Sequence, residues 1–178
     1  MRTLLVLACF VMLSSSLSFA QAGGGIQISS DIEGISCNLS DELYPEFLAY
    51  FVVHKAIPGS ITAASGSQFI ASNPPCLQAT YLSDTPQFTV TIGDSQSGVT
   101  IGYGSCLTMP IWILTMNYIS SSGTPPCCEF RVKEHPEVAS GRIEVADCTG
   151  ALLYGAGLCA VVNPDASCPC WATPVEES

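Results

Sequence analysis

The chain has 178 residues, of which 48% are apolar and 11% charged, and its formal net charge is −10. This composition excludes an intrinsically disordered protein, which needs low hydrophobicity and high charge. It also excludes a coiled coil or helical array, which would be rich in Glu, Lys, Arg, Ala and Leu. Ten cysteines indicate an oxidising compartment.

The first segment, residues 1–22, has the pattern of a secretory signal peptide. Arg2 is its single charge, an apolar run follows from Leu4 to Leu13, and small residues offer cleavage after Ala20 or Ala22. Without this segment the net charge falls from −10 to −11, because Arg2 is its only charged residue. So acidic a chain repels nucleic acid and anionic membranes. We therefore expect a secreted, periplasmic or cell-surface protein with no nucleic-acid partner and no membrane insertion.

The chain beyond this segment shows a strand-and-turn pattern. The three glycines at 23–25 are expected to be a flexible lead-in, and β-type runs then recur about every ten residues between turn residues. In the run Phe88–Ile92, apolar residues alternate with threonines, as in a strand with one buried face. A helix starting at Asp41 is limited to one turn by Pro45. The predicted strands lie at 35–39, 47–57, 67–71, 77–82, 88–92, 99–103, 111–119, 129–133, 142–146, 152–154 and 159–162.

This pattern predicts the fold class. Many short strands in about 150 residues indicate an all-β, antiparallel β-sandwich with an immunoglobulin-like layout, stapled by disulfides. We expect a single domain at 23–172, preceded by the signal peptide at 1–22 and followed by a C-terminal tail at 173–178.

Nine cysteines follow the signal peptide, and an odd number leaves one unpaired. Cys159 lies in an apolar run and is predicted to be the free thiol. The other eight adjoin turn residues and are the disulfide candidates: Cys37, Cys76, Cys106, Cys127, Cys128, Cys148, Cys168 and Cys170.

The pairing of these cysteines is not fixed by the sequence. Cys127 and Cys128 are adjacent and are expected to have separate partners, because a ring between neighbours is strained. The favoured pairs are Cys76 with Cys106 and Cys128 with Cys148. The alternative, a metal site built from Cys127, Cys128, Cys168 and Cys170, lacks the usual ligand spacing and suits an oxidising compartment poorly.

Two arrangements resemble hydrolase sites. Gly93-Asp94-Ser95 is similar to the nucleophile block of the GDS-type lipases, but the Asp and His that they carry three residues apart near the C-terminus are missing. His54, Asp84 and Ser95 have the chain order of a chymotrypsin-like triad. A strand at 88–92 would span about 17 Å and hold Asp84 and Ser95 apart. We therefore expect a tight turn in which Asp94 binds its own backbone.

The other titratable groups are predicted to be structural or solvated. His54 ends an apolar strand and His135 precedes a proline in a polar loop. The carboxylates at Asp31 and Glu33, and at Asp41, Glu42 and Glu46, lack the spacing of a calcium loop. The sequence thus predicts no catalytic residue, no metal and no cofactor.

Five segments outside the signal peptide resemble a family of uncharacterised exported β-sandwich proteins of environmental bacteria. The resemblance implies no established activity and therefore supplies no catalytic residues. The segments are 51–54 (FVVH), 91–99 (TIGDSQSGV), 125–128 (PPCC), 143–148 (IEVADC) and 168–170 (CPC).

The functional prediction is a secreted, non-enzymatic binding or surface-structural module whose partner is a protein or a glycan. One alternative is a subunit of an extracellular assembly that self-associates or binds a neighbour through an exposed sheet edge or the arm Ile26-Gln27-Ile28. The other is an extracellular serine hydrolase centred on Ser95.

Overall fold

The computed structural model describes residues 22–43 and 45–170. The predicted signal peptide, apart from Ala22, and the predicted tail at 173–178 lie outside these residues. Within them, no helix has the length and apolar character needed to cross a membrane. The described strands are β1 (Gly25–Ser29), β2 (Asn38–Leu39), β3 (Glu46–Lys55), β4 (Ala63–Phe69), β5 (Ala79–Pro86), β6 (Val90–Asp94), β7 (Gly98–Thr108), β8 (Ile111–Ser120), β9 (Cys128–Arg131), β10 (Ile143–Ala146), β11 (Leu152–Gly157) and β12 (Cys159–Val162).

Nine strands form one sheet in the order β5-β8-β3-β1-β11-β10-β4-β7-β6, and β2-β12-β9 form a second, smaller sheet. The large sheet folds into two layers, β5-β8-β3-β1 and β11-β10-β4-β7-β6, which are joined through the pairing of β1 with β11. Its two edge strands, β5 and β6, are consecutive along the chain and meet at the open side of the sandwich.

A single hydrophobic core lies between the layers. Ile26, Val52, Ile101 and Val145 come from four different strands and are at most 1% exposed. Aromatic rings fill the end of the core near the smaller sheet, where Tyr50 packs against Tyr118 with ring centroids 5.4 Å apart. Burial of these apolar side chains is the main force that holds the two layers together.

The predicted all-β, disulfide-stapled sandwich is confirmed. Two strand pairs, β1 with β11 and β2 with β12, are parallel rather than antiparallel. The strand predicted at 88–92 begins only at Val90, because the chain reverses at 87–89 to pass from one layer to the other.

The prediction of a flexible lead-in at 23–25 is wrong. All three glycines are buried, and Gly23 donates its amide to the Tyr154 carbonyl at 2.7 Å. A Cβ on Gly23 would lie 2.8 Å from Cβ of Val145. Gly24 has a φ of +93°, which favours glycine. The glycines therefore let the backbone approach the core closely.

The arm proposed at Ile26-Gln27-Ile28 is also not an arm. These residues belong to β1, which is hydrogen-bonded to β3 on one side and to β11 on the other. All three side chains are 0% exposed. An internal strand of this kind has no free edge with which to extend a neighbour's sheet.

Four disulfides join all eight of the candidate cysteines, and Cys159 is free. Cys127 and Cys128 have separate partners, as expected, but both favoured pairings are wrong. Strand β4 pairs with β7, which contains Cys106, and with β10, which ends two residues before Cys148. This arrangement brings the two cysteines together. The observed bridges are Cys37–Cys170, Cys76–Cys128, Cys106–Cys148 and Cys127–Cys168.

Candidate functional site

Asp84 and Ser95 are in direct contact, so the expectation that they lie far apart is wrong. The Ser95 amide and hydroxyl donate to the Asp84 carboxylate at 2.6 and 2.9 Å. The reversal at 87–89 places the end of β5 beside the turn that follows β6. In that turn Asp94 accepts from the amides of Gln96 and Ser97, which confirms its predicted role.

His54 does not complete a triad with these residues. It is 0% exposed, its Nε2 donates to the Gly23 carbonyl at 2.8 Å, and its Nδ1 lies 3.0 Å from the Tyr103 hydroxyl. Burial lowers the pKa of His54 to about 4, against a smaller opposing effect of the bond to Gly23. Both ring nitrogens thus have structural partners, and neither is directed to Ser95.

A groove of about 980 Å³ runs along the open side of the sandwich, between β5 and β6. Tyr81, Asp84, Phe88 and Asp94 contribute to its walls. Ser95 is 0% exposed and does not line it. The Ser95 hydroxyl therefore serves the contact between the two sheet edges rather than an open cavity.

Two of the carboxylates considered as calcium ligands are occupied by protein donors. Asp31 accepts from the amides of Ile35 and Ser36 at 2.9 and 2.7 Å. Burial raises the pKa of Asp31, but these bonds together lower it below its ordinary value. Asp41 is buried and binds Thr124 and Asn163, with Thr124 Oγ1 at 2.5 Å and Asn163 Nδ2 at 2.7 Å.

The cysteines considered as metal ligands are oxidised. Cys127 and Cys168 lie near Asp165, a grouping that would suit a cation if the sulfurs were thiolates. They are joined to each other in a disulfide, and Cys128 and Cys170 are bonded to other cysteines. Cys159 is half-buried and has a free thiol. Its backbone carbonyl oxygen lies 3.4 Å from Cys170 Sγ.

The outer surface of the layer β6-β7-β4-β10-β11, here called the trough face, carries large apolar side chains at both rims and small ones between them. The strand registers place Gly102, Gly66 and Ala146 in one row between Val90 and Leu152. A second, more polar row runs between Ile92 and Tyr154. The four rim side chains are Val90, Ile92, Leu152 and Tyr154, which are 58%, 70%, 66% and 51% exposed.

One end of the trough face is walled by the loop at 135–140, which forms a cleft of about 640 Å³ with the sheet. Hydrogen bonds link the polar row in the floor: Gln68 donates to Glu144 at 2.6 Å, and Thr100 donates to Gln68 at 3.3 Å. Arg142 stacks on the Tyr154 ring, with its guanidinium carbon 4.6 Å from the centroid. The floor is therefore held in place before any partner binds.

The outer surface of β5, β8 and β3, here called the neutral face, is different in character. Phe47 is 76% exposed, and Phe51 and Trp112 are half-buried with their rings 5.6 Å apart at 87°. Outside the part of this face that the loop at 30–36 covers over Val53 and Lys55, the registers place ten residues, none of them charged: Phe47, Ala49, Phe51, Thr80, Ser83, Thr85, Trp112, Thr115, Asn117 and Ile119.

Neither face can be identified from the sequence alone, although part of the signal is present in it. The alternation at 88–92 predicts that Val90 and Ile92 share one side of a strand. It does not tell which side faces solvent. The residues of the floor also come from strands that are neighbours in the sheet but far apart in the sequence, such as β4 and β10. The register that aligns Gly66 with Gly102 and Ala146 is a property of the fold.

No protein-family model and no curated protein matches the chain. Among solved structures, the sixth cohesin of scaffoldin B from Acetivibrio cellulolyticus, in complex with a dockerin mutant, is similar over 81% of this chain and 100% of that one, with 14% identity and a TM-score of 0.48. The cohesin module of a family 33 glycoside hydrolase from Clostridium perfringens is similar over 81% of this chain and 99% of that one, with 6% identity and a TM-score of 0.44.

Proposed function

We propose that this chain is an exported, non-enzymatic binding module that docks a basic amphipathic helix of a partner protein on its trough face. The observation that carries the proposal is the pair of exposed apolar rims, Val90 with Ile92 and Leu152 with Tyr154, on either side of a floor of small residues. Isolated apolar side chains on a protein surface need no explanation, whereas an ordered set of them marks an interaction site.

The width of the trough fits a helix. Four strand spacings separate β6 from β11, and at about 4.8 Å each the rims stand about 19 Å apart. An α-helix with its side chains is about 10–12 Å across. Gly102, Gly66 and Ala146 leave room for the helix to approach the sheet, and the rim side chains then contact its flanks.

The charge of the surface selects the partner. Glu144 lies in the floor, Glu137 lies in the loop that walls the cleft, and the chain carries 15 acidic residues against five basic ones. A helix with lysines or arginines beside its apolar stripe is attracted by this field, and an acidic helix is repelled. The partner is therefore a cationic helix rather than a glycan, which would make little use of the aliphatic side chains that form most of the two rims.

The alternative of strand addition has less support. The arm proposed for it is the internal strand β1, and the two edges of the large sheet are tied together by the Asp84–Ser95 contact. The hydrolase alternative would need a histidine at Ser95, and His54 is bound to Gly23 and Tyr103 instead.

A synthetic amphipathic helix tests the proposal. An 18-residue peptide of about five turns, with a leucine stripe flanked by lysines, is titrated into the isotope-labelled oxidised protein. Amide shifts should change at Val90, Ile92, Thr100 and Leu152 but not at Phe47. The affinity should fall with rising salt, because exposed charges are screened.

Matched variants and a control peptide complete the test. Ile92→Asp should weaken binding at least about tenfold, and Phe47→Asp, an equally exposed site on the neutral face, should leave it unchanged. The same peptide with glutamate in place of lysine should not bind. Equal binding of both peptides, or shift changes centred on the neutral face, would contradict the proposal.

A further inference from the structure

We infer that the neutral face, the outer surface of β3, β8 and β5, is a homodimer interface that takes a second copy of this chain. The inference does not depend on the trough face, which belongs to the opposite layer of the sandwich. The ten outward residues of the neutral face carry no charge, although the net charge of the protein is strongly negative.

The ends of β3 show how this face is bounded. Lys55, at one end, donates to the Gln27 side chain and to the Gly34 carbonyl, so the loop at 30–36 folds over that end. Asp84 of β5 is turned inward and binds Ser95. The charged residues of these strands are thus at the boundary or directed away, and the surface between them is left neutral.

Charge favours a second copy as the occupant of this face. Two copies that each carry a charge near −10 repel each other wherever their carboxylates approach. On the neutral face, two copies can meet without opposed carboxylates, and the remaining repulsion acts over distances at which salt screens it. A cationic partner would find no counter-charge here and would be drawn to the other surfaces.

The aromatic side chains of the neutral face favour a protein partner over a polysaccharide. The rings of Phe51 and Trp112 are nearly perpendicular, at 87°, so they do not form a flat platform on which a sugar chain could stack. Phe47 projects into solvent and Ala49, two residues along the same strand, is small. A two-fold arrangement can place Phe47 of each copy over Ala49 of the other, which is the self-complementarity that an isologous contact requires.

The size of the face sets the expected affinity. Three strands of up to ten residues give a surface of roughly 500 Å² per copy, from the spacing and rise of β-strands. Two copies together would bury roughly 1,000 Å², which is the lower limit for a specific interface. We therefore expect a reversible dimer with a dissociation constant in the micromolar range, whose two trough faces remain exposed on its outer sides.

Sedimentation equilibrium of residues 21–178 between about 2 and 200 μM tests the inference by mass action. All proteins carry Cys159→Ser, so that no intermolecular disulfide contributes. The parent should show a monomer–dimer equilibrium that tightens as salt is raised. Phe47→Asp should raise the dissociation constant at least about tenfold, and Ile92→Asp on the trough face should change it less than about twofold.

Two results would overturn the inference. One is a parent that stays monomeric at every concentration. The other is a dimer that Ile92→Asp dissociates and Phe47→Asp does not, which would place self-association on the trough face. Thermal melts of both variants confirm that they are folded, and neither substituted side chain is part of the core. Peptide binding to the trough face is measured separately, so the dimer and the helix-docking function succeed or fail independently.

Discussion

Ser95 donates two hydrogen bonds to a single carboxylate, that of Asp84, and so connects the two edge strands of the nine-stranded sheet. Burial raises the pKa of Asp84 while the bonds from Ser95 oppose that rise. The two layers are joined by backbone pairing on one side, between β1 and β11, but not on the other, between β5 and β6. The contact holds the half-buried Asp84 carboxylate on that unpaired side.

This contact predicts an order of stability losses. Ser95→Ala removes one hydroxyl bond and should cost about 1 kcal/mol in the free energy of unfolding. Asp84→Ala also leaves the buried Ser95 amide without its acceptor and should cost about 2–3 kcal/mol. Urea denaturation of the oxidised variants, with the exposed Thr89→Ala as control, measures these losses. Equal losses for the two variants would show that the carboxylate is not the centre of the contact.

His54 predicts a dependence of stability on pH. In the unfolded chain its pKa is near 6.5, and in the folded protein burial lowers the pKa to about 4. Between these values the unfolded state binds a proton that the folded state does not, so stability falls as the pH falls from 6.5 to 4. The loss from this group should total roughly 3 kcal/mol and stop below pH 4.

The contribution of His54 can be isolated with His54→Gln, whose amide can replace both hydrogen bonds without titrating. The difference in unfolding free energy between wild type and variant should change across this pH window and be constant above it. A constant difference from pH 7 to pH 4 would mean that His54 is not held neutral.

Asp41 is predicted to be a major stabilising residue. Its buried carboxylate accepts from Thr124 and Asn163 and so connects the segments before β3, after β8 and after β12. Asp41→Ala should cost about 3 kcal/mol, because several buried donors lose their acceptor at once. The neighbouring exposed variant Glu42→Ala should stay within about 0.5 kcal/mol of wild type in the same denaturation experiment.

Gly23 is predicted to tolerate no side chain. Gly23→Ala should lower stability by about 1–3 kcal/mol, because the new methyl group would meet Val145. If this contact is the cause, the double variant with Val145→Ala should lose less stability than the sum of the two single variants. Additive losses in thermal denaturation would point to the backbone of Gly23 instead.

The cysteine pairing is open to direct chemical measurement. For residues 21–178, non-reducing peptide mapping should recover the four observed bridges, with thiol labelling of the denatured protein confined to Cys159. Cys159→Ser should leave stability within about 0.5 kcal/mol of wild type, since it removes no bridge. Recovery of a Cys76–Cys106 peptide would contradict the structure.

The sequence predicts local features well where one stretch of chain decides them. Runs of β-type residues between turn residues located most strands, including those at 111–119 and 159–162. The turn at Asp94 was predictable because an aspartate side chain readily accepts from backbone amides two or three residues further along the chain. The free thiol at Cys159 could be assigned because its neighbours are apolar, whereas the paired cysteines adjoin turns.

Features set by distant pairing were beyond that reasoning. The three glycines at 23–25 have the composition of a linker, and only the presence of β3 and β11 on either side makes β1 an internal strand. The expected distance between Asp84 and Ser95 assumed a straight strand between them, but the chain changes layer at 87–89. Both candidate binding faces likewise depend on the registers of strands that lie far apart in the sequence.

The order of the disulfides along the chain has a consequence for biogenesis. None of the four bridges in the described part of the chain joins cysteines that are consecutive in the sequence, and Cys37 pairs with Cys170, 133 residues away. A chain that is oxidised as it emerges from an export channel meets non-native partners first, such as Cys37 with Cys76. Native pairing then requires thiol–disulfide exchange, which takes seconds to hours depending on the oxidant and isomerase. If the chain is exported as proposed, a host that lacks a disulfide isomerase should therefore release it mainly as scrambled isomers.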